Sequence, residues 1–182
     1  MSDLVLGTAQ LGMQYGINNR SGMPTLDEGR KIIRAAIRHG VAYIDTARAY
    51  GLSECVVRAA LSAGWRGRAR VITKLSPMVE LDEASEQSGV ESAVRASVFE
   101  SCQKLGMERL DVLMVHRAQH MHAWGGRVWA ELRRLEEEGV IKALGFLSRP
   151  RRSWLRLSGT VRSDTYRCRS ISSTGVGTRW CH

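Results

Sequence analysis

Short apolar runs, each closed by a polar residue and separated by helix-length amphipathic stretches, set the tightest limit on how this chain folds. Val41-Ala42-Tyr43-Ile44 closes on Asp45, Val71-Ile72-Thr73 on Lys74, and Leu110-Asp111-Val112-Leu113-Met114-Val115 on His116. Nearly continuous apolar runs suit parallel strands buried on both faces, and their alternation with helical patterns reads as βα units. In a parallel α/β barrel such strand ends share one face, where polar groups from distant positions converge. Tyr50 lies five residues after Asp45, in the loop that follows the second strand. An acid, a phenol, an amine and an imidazole brought together can move a proton onto a carbonyl oxygen.

The spacers supply the helices. After a first strand expected over residues 4–9, Thr25 and Glu28 form an S/T-x-x-E capping box, and Ile32, Ile33, Ala36 and Ile37 make a helical stripe that Gly40 ends. The second strand, 41–45, leads to a helix starting near Ser53 with Val56, Val57, Ala60 and Leu61 inward. A third strand over 71–74 precedes a polar connection and a helix near 90–105. The fourth, 110–116, passes Gly125-Gly126 to a helix ending at Glu136-Glu137-Glu138-Gly139, and a fifth begins at Ile141 and reaches Gly145. The expected class is α/β: a partial (β/α)8 TIM barrel of four βα units plus a fifth strand over residues 1–147. A complete barrel needs about 250 residues, and this chain has 182.

Residues 148–182 are expected to form an irregular Arg-rich tail, since no sustained helical or strand period follows Gly145. The abrupt change of texture points to a shifted coding frame near residues 145–150; a divergent disordered tail is the second reading. Residues 149–182 carry eight Arg, no Lys and one acid, Asp164, so they account for +7 of the formal +9 charge. The body is nearly neutral, and the tail has neither a repeated aromatic and basic pattern nor a recognition helix, which argues against specific nucleic-acid binding. No run of eighteen apolar residues is present, so no membrane partner is expected. Met1-Ser2-Asp3 opens without a basic region before an apolar stretch. The four cysteines, Cys55, Cys102, Cys168 and Cys181, form no CxxC pair. A cytoplasmic protein with reduced thiols is the expectation.

Four segments in order carry a resemblance: Leu6-Gly7-Thr8-Ala9-Gln10-Leu11-Gly12; Ile44-Asp45-Thr46-Ala47-Arg48-Ala49-Tyr50-Gly51-Leu52-Ser53-Glu54; Val71-Ile72-Thr73-Lys74; and the run from Leu110 to His116. Together they resemble the aldo-keto reductase superfamily over about residues 4–145. The Tyr15-Gly16-Ile17-Asn18-Asn19 stretch resembles a bacterial subgroup. The resemblance implies a catalytic set of Asp45, Tyr50, Lys74 and His116 that reduces an aldehyde or ketone to an alcohol with NADPH, or with NADH. Tyr50 is then the general acid. A free tyrosine titrates near about 10, and a Lys74 ammonium beside it favours the phenolate form. Asp45 holds Lys74 charged and aimed, and His116 orients the carbonyl oxygen. Gly7, Thr8 and Ala9, at the end of strand one, and Asp45 are implied at the ribose side of the cofactor, where glycine permits close approach. The family's remaining cofactor contacts come from loops after strands five to eight, so turnover by this chain is expected to be weak or absent.

Each residue alone also fits a plainer role: Tyr50 as loop packing, Lys74 as a solvated strand-end cation, Asp45 as a turn cap, His116 as an interior histidine. His116 and His120 have HxxxH spacing but no helix or third ligand, so no metal is expected. Arg48, Trp124 and Trp129 are candidates for the pocket border, and Trp129 equally fits a helix stripe. The alternative function is a non-catalytic half-barrel that self-associates through open strand edges.

Overall fold

The computed structural model describes residues 4–16, 22–82, 85–148, 154–158 and 169–171. The expected alternation is present: β1 (Leu4–Gly7), α1 (Ala9–Gly12), α2 (Leu26–Arg38), β2 (Val41–Asp45), α3 (Ser53–Leu61), β3 (Arg70–Lys74), α4 (Gln87–Leu105), β4 (Val112–Val115), α5 (Arg127–Glu137) and β5 (Leu144–Ser148). Strands β1 to β5 pair as sequential parallel neighbours, as in a partial (β/α)8 barrel. The Thr25 capping box forms as the spacing predicts, with Thr25 Oγ1 accepting from the Glu28 N–H and Glu28 accepting from the Thr25 N–H.

Both faces of the sheet are apolar. Ile44, Val71, Leu113, Val115 and Leu144 join the helices in the main core, which includes Ile33, Val57, Val94, Val98, Leu132 and Leu135. On the opposite face Ile72, Val112, Met114 and Ala143 cluster with Tyr43. Two side-chain directions per strand therefore meet two cores, which explains the uninterrupted apolar runs.

The structure departs from the sequence expectation at three places. The chain leaves β1 at Gly7 and turns into the short α1, where a strand reaching Ala9 is expected. Leu110 and Ile141 make only an isolated parallel bridge, so β4 and β5 start later than expected. The tail is not wholly irregular: β6 (Trp154–Ser158) pairs antiparallel with β5, and β7 (Arg169–Ile171) pairs parallel with β1. Edge pairing rests on main-chain hydrogen bonds and needs little side-chain pattern, which is why two short strands escape a periodicity argument. The rest of the tail and residues 17–19 lie outside the described residues.

Candidate active site

Three of the four expected residues reach one place by strand alternation. Asp45, Lys74 and His116 stand an even number of positions after Tyr43, Ile72 and Met114, and so belong to the inner face of the sheet. Register adds a staircase: Asp45 lies beside Ile72, two residues before Lys74, and Lys74 lies beside Met114, two residues before His116. Lys74 Nζ donates to Asp45 Oδ1 at 2.5 Å and to the Thr46 carbonyl at 3.1 Å. Its side chain is 7% exposed, against 32% for Asp45.

Tyr50 closes the group from the β2–α3 loop. The Lys74 ammonium lies 4.9 Å from its ring centroid, and the His116 ring meets it edge-on at 6.5 Å and 75°. The loop is fixed by main-chain bonds from Tyr50 N–H to the Ala47 carbonyl, Ser53 N–H to the Tyr50 carbonyl and Leu52 N–H to the Gly12 carbonyl. Gly12 and Gly51 bring two backbones together here: a Cβ on Gly12 would lie 2.0 Å from the Tyr50 carbonyl oxygen, and one on Gly51, whose φ is +56°, would lie 2.3 Å from the Gly12 carbonyl oxygen.

Burial, the Lys74 ammonium and Arg117 hold the His116 imidazole below the ordinary histidine range, with Asp45 pulling weakly the other way. It is therefore mainly neutral near pH 7, with one ring nitrogen to donate and one to accept. Its Nδ1 is buried without a hydrogen-bond partner among the described residues.

The strand-one residues divide. Gly7 is exposed, and a Cβ there would meet nothing within 4 Å. Thr8 is fully buried; its hydroxyl donates to the Asp45 carbonyl at 2.9 Å and shares a 2.6 Å bond with Ser53 Oγ. Its side chain braces Asp45 from behind. Ala9 opens α1 and is half-buried.

Of the border candidates, Trp129 packs on the core from α5. Trp124 Nε1 donates to the Asp82 carbonyl at 2.5 Å, joining the loops after β3 and β4. Arg48 pairs with Glu54 and Glu100. The roles of Glu54 and Ser53 are not legible in the sequence motif; the one signal for Glu54 is an acid on the first turn of a helix whose Val56, Val57, Ala60 and Leu61 face inward.

The profile of the Aldo/keto reductase family matches residues 3–153. The chain belongs to the aldo/keto reductase family. D-arabinose 1-dehydrogenase of Saccharomyces cerevisiae is 33% identical over 151 residues, covering 82% of this chain and 44% of the yeast protein. A solved structure from Pseudomonas aeruginosa, assigned to the aldo-keto reductases, is 27% identical with a TM-score of 0.65, covering 81% of this chain and 56% of that one. An aldo-keto reductase of Klebsiella pneumoniae, solved with NADPH, shares the fold at 23% identity and a TM-score of 0.57, over 80% of this chain and 45% of that one. This family member thus spans about half the length of the relatives it matches.

Proposed function

We propose that the chain carries the proton-delivering half of an NADPH-dependent carbonyl reductase, acting on an aldehyde or ketone. The observation that carries this is the Lys74–Asp45 pair lying against the Tyr50 ring with His116 at its edge. NADPH is the cofactor in the Klebsiella pneumoniae structure of like fold, and the exposed Gly7 backbone and half-exposed Asp45 fit the ribose edge of such a cofactor. When bound, the nicotinamide supplies hydride to the carbonyl carbon. Tyr50 gives its proton to the carbonyl oxygen, and the nearby ammonium stabilises the negative charge left on the phenol. Asp45 keeps that ammonium paired and aimed. His116, neutral, donates from one ring nitrogen to the same oxygen and fixes its direction.

The yeast relative is named for dehydrogenation of D-arabinose at C1, the reverse of carbonyl reduction, so that sugar is the first to try in the oxidising direction. We assign the reductase unit to residues 1–147 and treat 148–182 as a separate tail. The test follows NADPH oxidation with a simple aldehyde and NADP+ reduction with D-arabinose, using the 182-residue chain and its Tyr50→Phe variant. Aldehyde-dependent oxidation is expected to be weak, since the chain spans about half the length of its relatives, and to fall at least tenfold in Tyr50→Phe. Equal rates in both would overturn the assignment of Tyr50, and no rate in either would leave the non-catalytic half-barrel as the reading.

A further inference from the structure

Glu54 lies in the first turn of α3 with its side chain 1% exposed, and a carboxylate so buried needs both charge pairing and hydrogen bonds. Its oxygens are divided. Oε1 accepts from Thr73 Oγ1 at 2.8 Å, and Oε2 accepts from Arg48 Nη1 at 3.4 Å. Thr73 directly precedes Lys74 on β3, so it points to the helix-covered face while Lys74 points inward. Arg48 sits between Asp45 and Tyr50 in the β2–α3 loop, with its side chain 13% exposed. Its second arm reaches Glu100 Oε2 on α4 at 2.5 Å, and its main-chain N–H donates to the Lys74 carbonyl at 3.4 Å. The Arg48 Nε is buried without a partner among the described residues, so the two arms, and not a full set of hydrogen bonds, dictate where the guanidinium sits.

The arrangement ties the loop bearing Tyr50 to the strand bearing Lys74 and to two helices. We propose that Glu54 and Arg48 form a clamp, on the helix side of the sheet, that sets the Tyr50 ring against the Lys74 ammonium. Both are positioning residues, and the proposal rests on the reading of Tyr50 and Lys74 given above. A forked guanidinium suits the task because it can face two carboxylates at once, which a single ammonium on a flexible stem does less well. The buried carboxylate in turn requires a cation in that place, so the loop is held by charge as well as by its main-chain bonds.

The test reads the contact itself by NMR, in the 182-residue chain labelled on tyrosine and lysine side chains, the Tyr50 signals being those lost in Tyr50→Phe. The unsubstituted chain is expected to show nuclear Overhauser contacts between the Tyr50 ring and the Lys74 side chain. Arg48→Met is expected to lose those contacts and shift the Tyr50 ring signals while those of Tyr43, on β2, stay in place. Glu54→Gln can keep an oxygen to accept from Thr73 while it replaces the charged oxygen facing Arg48 by an NH2 group, and the same loss is expected. Tyr50 signals and contacts unchanged in both variants would overturn the clamp, as would a joint loss of Tyr43 signals in both, which marks collapse of the sheet. The contact is read without substrate or cofactor, so its outcome is separate from whether Tyr50→Phe abolishes aldehyde reduction.

Discussion

At the scale of single residues, two histidines make the chain sensitive to acid. His120 is buried, its Nδ1 has no partner among the described residues, and its ring is tilted against Trp124 with centroids 5.9 Å apart. Burial first, then Arg117 and His116, lower its proton affinity, and burial does the same for His116. In the unfolded chain both titrate near about 6.5. Their folded values lie lower, so below about pH 6.5 the unfolded state binds more protons and stability falls as pH falls toward the folded values. The melting temperature is expected to be flat from about pH 7 to 8 and to drop below about 6.5, with a smaller drop in His120→Gln; circular dichroism melts at several pH values check it. Parallel slopes for the two proteins would remove His120 from the account.

At the scale of elements, the decisive joint is between α1 and the β2–α3 loop. Gly12→Ala would place a methyl against the Tyr50 carbonyl and the Ser53 main chain, the latter at 2.3 Å. Backbone cannot give way as a flexible side chain does, so a loss of about 1–3 kcal/mol in urea unfolding is expected. The Tyr50 ring should move with it. The sequence disclosed the elements on either side of this joint but not the joint. A capping box at Thr25 and stripes such as Val56, Val57, Ala60 and Leu61 are local patterns, and each has its expected place. Asp45, Lys74 and His116 were legible because strand ends share a face. Gly12, Glu54 and Arg48 act through approaches between segments far apart in the chain, which no local period encodes. The inward turn of Thr8 was hidden for the same reason: its partners are Asp45 and Ser53.

At the scale of the whole molecule, half a barrel has to deal with its edges. An uncovered β1 or β5 offers unpaired main-chain groups to another chain, the basis of the expected self-association. In the structure β7 lies on β1 and β6 on β5, so the tail covers the two edges on which the further strands of a complete barrel would pair. Deletion of residues 149–182 is therefore expected to increase self-association, read by light scattering at matched concentrations. A truncated chain that remains as monodisperse as the full chain would show that the tail protects neither edge. Among the described residues no helix is long and apolar enough to cross a membrane.

The staircase from Asp45 to Lys74 to His116 also bears on sheet fidelity. A slip of one residue between β2 and β3 would turn Ile72 and Val71 to the wrong faces, and the two cores forbid it. A slip of two keeps every apolar side chain on its proper face, so hydrophobicity alone barely opposes it. The slip that sets Asp45 beside Arg70 instead of Ile72 breaks the Lys74–Asp45 pair, leaving a buried ammonium without its partner at a cost on the order of 3 kcal/mol; the opposite slip sets the two residues side by side. The ion pair thus guards the alignment in one direction, and a strand mispaired that way would lose its chemistry and its stability in the same step.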